Sequence, residues 1–111
     1  MEWNVKVENG CSIVSLSGRL DAVTSPLYEQ KIRELYANGP CRLAVDFDKL
    51  DYISSAGLRV LLLLAKLSKE TGGKLCLANI RNTVRSVFEM SNFTTLFVIK
   101  ETLAEAIAEV A

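Results

Sequence analysis

The sequence predicts an α/β fold: an N-terminal β-hairpin, then strands and helices in alternation, making a mixed sheet of about five strands with four helices. Three observations carry that expectation. Asn9-Gly10 separates two segments that alternate apolar and polar residues, and a two-residue turn of this composition favours a hairpin because both positions tolerate positive φ. After the hairpin, apolar runs of strand length alternate with amphipathic stretches of helical period, which implies right-handed crossovers and a mainly parallel inner sheet. The chain has 111 residues, half of them hydrophobic, the size of one compact domain spanning 1–111.

Taken in order, Trp3-Asn-Val-Lys-Val-Glu is the first strand and Cys11-Ser-Ile-Val-Ser-Leu-Ser the second, ending at Gly18. Gly18-Arg-Leu-Asp-Ala-Val is a turn-rich link. Thr24 or Ser25 caps the next helix, and Pro26 sits where a first-turn proline is allowed. Leu27, Ile32, Leu35 and Tyr36 form its inward stripe, and Asn38-Gly39-Pro40 ends it after about Ala37. Strand three runs from Cys41 to Phe47, dense enough in apolar residues for a central position covered on both faces. A long helix follows Ser54-Ser55 and stops at Gly72-Gly73. Lys74-Leu-Cys-Leu-Ala is strand four. Asn82 or Thr83 opens a shorter helix carrying Val84, Val87, Phe88 and Met90, and Leu96-Phe-Val-Ile is strand five. Glu101 to Val110 closes the chain as a helix with Leu103, Ile107 and Val110 inward.

Composition narrows the chemistry. Histidine is absent, which removes the commonest general base, the histidine-dependent triads and most zinc sites. Lysine plus arginine equals aspartate plus glutamate at 13 each, so nothing in the balance calls for nucleic acid or an anionic membrane as partner. Three cysteines without a Cys-x-x-Cys spacing fit buried free thiols in a reducing compartment. No basic-then-apolar leader opens the chain, and its longest apolar run, Val60 to Ala65, is far below the ~20 residues of a membrane span. The expectation is a cytoplasmic protein without membrane insertion, metal or cofactor.

The stretch from Asp46 to Leu64 concentrates the rest of the signal. Two serines, Ser54 and Ser55, precede the most apolar run of the chain. A serine there is a helix cap, or a phosphoacceptor at a partly positive helix terminus. Along the helix Arg59, Lys66 and Glu70 share one arc with Leu62 and Leu63. Leucines among charges mark a contact surface, unless the helix is simply covered on both sides. Asp46, Asp48 and Asp51 lie in an acidic loop near a strand's C-terminal end, a place for Mg²⁺ or an ordinary solvated loop. A receiver domain is excluded, because the chain lacks a first strand ending in paired acidic residues.

Asp46-Phe-Asp-Lys-Leu-Asp-Tyr-Ile-Ser-Ser-Ala-Gly-Leu resembles the Asp, loop, Asp-Ser-Ser/Thr-Gly-Leu pattern of the STAS domains of bacterial anti-sigma factor antagonists. Gly18-Arg-Leu-Asp21 is similar to the family's Gly-Glu-Leu-Asp, and Gly72-Gly73-Lys-Leu and Val84-Arg-Ser-Val-Phe-Glu-Met-Ser-Asn-Phe sit where similar segments occur. The resemblance implies the STAS fold and a switch protein rather than an enzyme. Unmodified, it would bind a serine-kinase anti-sigma factor and free the sigma factor; phosphorylation by that kinase would switch it off, and a PP2C-like phosphatase would reset it. Carried over by position, Ser55 is the phosphoacceptor, with Ser54 as second choice because it replaces the motif aspartate. Ala56 replaces the second Ser/Thr, and Asp21 is expected near the acceptor. The implied partner surface comprises Asp21, Ser54, Ser55, Ala56, Gly57, Arg59, Leu62, Leu63 and Lys66. STAS domains also serve as accessory subunits of transport complexes or other signalling assemblies without being phosphorylated, and that role remains the alternative.

Overall fold

The computed structural model describes residues 2–39 and 41–111. In chain order the elements are β1 (Glu2–Glu8), β2 (Cys11–Leu20), α1 (Ser25–Leu35), β3 (Arg42–Ile53), α2 (Ser55–Thr71), β4 (Lys74–Ala78), α3 (Asn82–Met90), a 3-10 turn at Phe93–Thr95, β5 (Ile99–Lys100) and α4 (Leu103–Val110). The five strands form one sheet in the order β1-β2-β3-β4-β5. β1 is antiparallel to β2, and every later pair is parallel. Asn9 and Gly10 turn the hairpin with φ of 52° and 76°, the positive values a tight two-residue turn requires.

The sheet is covered on both faces. On one, Tyr28 and Ile32 of α1, Val60, Leu61 and Leu64 of α2, and Val84 and Phe88 of α3 meet Val14, Leu16, Leu43, Val45, Phe47 and Leu77. On the other, Ala106 and Val110 of α4 lie over Cys11, Ile13, Ala44, Cys76 and Ala78. Leu43, Ala44 and Val45 are buried in succession, so β3 is covered on both faces as its composition predicts.

Several boundaries depart from expectation. β2 does not stop at Gly18, and β3 does not stop at Phe47. They remain paired up to Leu20↔Ile53 through two register shifts, at Ser15/Ser17 and Gly18/Arg19, where Gly18 takes a φ of 86°. Bulges keep a ladder running where polar residues break the alternation, so the stretch read as an acidic loop is strand. The first helix ends at Leu35, with Tyr36 as its C-cap. Leu27 is 49% exposed, and Tyr28 takes its inward place. Met90 points outward at 82% exposure. The fifth strand shrinks to two residues, Ile99–Lys100, because Phe97 leaves the strand path to join Phe88 and Phe93, with centroid separations of 6.2 Å. α4 begins after a capping box between Thr102 and Glu105, leaving Glu101 outside. The helix stop read at Asn38-Gly39-Pro40 includes Pro40, which lies outside the described residues.

Candidate functional site

β2 and β3 end side by side, so the segments leaving them, Asp21 onward and Ser54 onward, emerge at one edge of the sheet. The join is direct: Ser54 N–H donates to the Leu20 carbonyl at 3.0 Å. Ser54 is extended (φ −102°, ψ 177°), and its hydroxyl accepts from the Gly57 N–H at 3.4 Å. Its carbonyl accepts from Leu58 N–H at 2.9 Å, the first bond of α2. Ser54 is therefore the N-cap. Gly57 is buried where the first turn of α2 crosses β2. A Cβ there would lie 2.6 Å from the Leu20 carbonyl oxygen and 2.8 Å from Ile53 Cγ1.

Ser55 is the first residue of α2 and is exposed. Its hydroxyl makes no hydrogen bond among the described residues. The cap role thus falls to Ser54 and the free hydroxyl to Ser55. No acidic residue occupies the first turn of α2, so the helix terminus keeps its partly positive character.

Asp21 organises the neighbouring turn. Its Oδ1 accepts from Val23 N–H at 3.0 Å, Thr24 N–H at 3.2 Å and the Thr24 hydroxyl at 3.3 Å. Arg19 Nε pairs with its Oδ2 at 3.5 Å while the guanidinium lies 4.2 Å from the Tyr52 ring centroid. The Thr24 backbone N–H foremost, with Val23 N–H, Arg19 and the Thr24 hydroxyl, holds the Asp21 carboxyl below the ordinary carboxylate range, against a smaller desolvation effect. Thr24 stands at the N-cap of α1 without capping it through its side chain; its single hydroxyl proton is shared between Arg19 C=O at 2.9 Å and the longer contact to Asp21 Oδ1, while its oxygen accepts from Asp21 N–H at 3.0 Å. Ser25 turns back to the Asp21 carbonyl, through its N–H at 2.8 Å and its hydroxyl at 2.5 Å.

Beyond the first turn, the site residues divide. Arg59 and Lys66 are exposed, and Leu62 is 43% exposed. Leu63 is half-buried against the main core, so it does not belong to the open surface with Leu62. Ala56 and Arg59 line a groove whose other wall comes from α1 and the loop before it: Ala22, Ser25, Pro26 and Glu29. That wall escaped the sequence reading, although the apolar residues around Thr24 (Ala22, Val23, Pro26 and Leu27) were its signal; Val23 and Leu27 are exposed.

The acidic stretch is occupied by internal pairing. Asp46 Oδ1 accepts from Asn79 Nδ2 at 2.8 Å and from Asp48 N–H at 3.1 Å. Arg81 donates to Asn79 Oδ1 at 2.8 Å and pairs with Asp48 at 2.9 Å. Among the described residues no group of three or more Cys, Asp or Glu is arranged to hold a metal ion. No helix among them is long and apolar enough to cross a membrane.

Comparison with known proteins agrees with this geometry. The STAS domain family matches residues 2–106. BtrV of Bordetella bronchiseptica, named as an anti-sigma factor antagonist, is 36% identical over 100 residues, covering 90% of this chain and 86% of its own. The crystal structure of an anti-sigma factor antagonist from Mycobacterium paratuberculosis is 29% identical, with a TM-score of 0.87 over 98% of this chain and 92% of that one. SpoIIAA in its unphosphorylated form shares the fold at 23% identity, with a TM-score of 0.82 over 98% of this chain and 96% of that one. A second structure holds the Bacillus protein in its phosphorylated form. The chain belongs to the STAS domain family, among its anti-sigma factor antagonists.

Proposed function

We propose that the unmodified protein binds a serine-kinase anti-sigma factor, so that the sigma factor held by that kinase is released. Phosphorylation of Ser55 ends the interaction. The observation that carries this reading is the division of the serine pair: Ser54 is spent on capping α2, while Ser55 presents an unengaged, exposed hydroxyl at the first helical position. In the transfer, the Ser55 oxygen forms a bond to the γ-phosphorus of ATP as the bond to the β–γ bridging oxygen breaks. ADP leaves, and the hydroxyl proton is lost to the kinase's base or to solvent.

The added group brings about −1.5 to −2 charge at neutral pH. It arrives at a helix N-terminus, where such charge is tolerated, on a turn pinned to β2 by the Ser54–Leu20 bond. The effect therefore falls on the partner: an anion now stands in the contact surface formed by Ser55, Ala56, Arg59, Leu62 and Lys66, with Asp21 alongside. A PP2C-like phosphatase restores the neutral surface, and the cycle belongs to the cytoplasm. The protein acts as substrate and switch, without catalysis of its own.

The test is to incubate the protein with its cognate anti-sigma kinase and ATP, then to locate the label by mass spectrometry. One phosphate on Ser55 is expected. A phosphate on Ser54, on another residue, or none at all would overturn the reading.

A further inference from the structure

The cations near Ser55 are not equivalent. Arg19 is committed to Asp21 and to the Tyr52 ring. Lys66 lies eleven residues further along α2, roughly 16 Å by helical rise. Arg59 stands four residues after Ser55 on the same helix, where side chains are neighbours with Cβ atoms ~5–6 Å apart. Both residues are exposed, and Arg59 makes no ion pair among the described residues.

The anions within reach are also accounted for. Glu29 lines the same groove as Arg59 but pairs with Arg33 at 3.6 Å. Asp21 has its oxygens engaged by its own turn and by Arg19. Asp51 is exposed on β3 and makes no ion pair with Arg59 among the described residues. Arg59 thus has one position on its own helix where a strong anion would be presented to it, and that position is Ser55.

Resting on the reading of Ser55 as acceptor, we propose that Arg59 is the phosphate-positioning residue of the switch. In the unmodified protein its guanidinium is free for the partner. Once Ser55 carries a phosphate, the guanidinium folds back along α2 and holds it in a charge-assisted, two-pronged contact. Modification then acts twice: it introduces an anion and withdraws the cation next to it. The modified surface also has one geometry instead of many, which suits recognition by a phosphatase.

The experiment places phosphoserine at position 55 of the full chain during synthesis and follows the phosphate's second ionisation by ³¹P NMR. A clamped phosphate ionises more readily. The wild type is expected to titrate about 0.2–0.4 pH unit below Arg59→Gln, the scale of an exposed pair one helical turn apart. Arg59→Lys should recover part of the shift, Lys66→Gln should leave it in place, and about 1 M salt should close the gap. Should Arg59→Gln disturb the far-ultraviolet circular dichroism, the low- and high-salt titrations of the wild type decide in its place. Equal ionisation in wild type and Arg59→Gln, an equal loss in Lys66→Gln, or a wild-type value indifferent to salt overturns the clamp. Because the phosphate is installed synthetically, that failure leaves the acceptor reading standing. Kinase labelling at another residue would remove the acceptor reading without touching the measured shift.

Discussion

The backbone carbonyl of Leu20 and the α-carbon of Gly57 are so close that a single methyl group between them would stand 2.6 Å from the oxygen. The same carbonyl accepts the Ser54 N–H at 3.0 Å. One oxygen thus ties the end of β2 to both the cap and the first turn of α2. Gly57→Ala should force these elements apart. We expect a loss of about 1–3 kcal/mol, a fall in Tm of roughly 5–20 °C, and weaker partner binding, because the Asp21 turn and Ser55 move with the contact. Thermal unfolding gives the answer, and an unchanged Tm would mean that the helix start tolerates displacement.

Ser54→Ala removes the side-chain cap. The bond to Gly57 N–H is long at 3.4 Å, so the cost should sit at the low end for such caps, about 0.5–1 kcal/mol in urea unfolding. Phosphorylation at Ser55 should persist in this variant. Loss of labelling with the fold intact would assign Ser54 a direct part in the reaction.

Asp21 gives a pH signature. Its carboxyl is held below the ordinary value near 3.8, first by the Thr24 N–H, so the unfolded chain binds the proton more readily than the native one. The resulting stability is fully present above the unfolded value and is lost as pH falls through the lower native value. The gap in unfolding free energy between wild type and Asp21→Ala should be flat above about pH 5 and should narrow below about pH 4. A gap that keeps its size down to pH 2 would show that the turn does not depend on the charge.

The two leucines of α2 should respond in opposite ways. Leu63 packs against the core, so Leu63→Glu is expected to cost stability by about 1–3 kcal/mol. Leu62 is 43% exposed, so Leu62→Glu should stay within about 0.5 kcal/mol of wild type while weakening partner binding. Calorimetric titration with the partner, set beside melting curves, separates the two effects.

What was legible in the sequence followed from local chemistry. Asn9-Gly10 specified the hairpin, and Ser54-Ser55 and Gly72-Gly73 bracketed α2; each acts over four residues or fewer. The errors came from partners distant in the chain. Asp48 and Asp51 read as loop because their strand is held by β2, some thirty residues earlier. Phe97 read as strand, yet Phe88 and Phe93 drew it into an aromatic cluster. Leu62 and Leu63 share a helical arc, and only the position of the core distinguishes them. At the site, the motif brought out the serine pair, whereas the α1 wall of the groove depends on how two helices pack.

The separation of α4 from the site has a practical consequence. Ala108 is exposed on that helix, across the sheet from Ser55. Burial raises the thiols of Cys11, Cys41 and Cys76 above their ordinary value, which leaves them slow to alkylate. A cysteine introduced as Ala108→Cys should therefore be the fastest-reacting thiol in the chain. A dye attached there would report partner engagement by anisotropy while the phosphoacceptor face stays unobstructed.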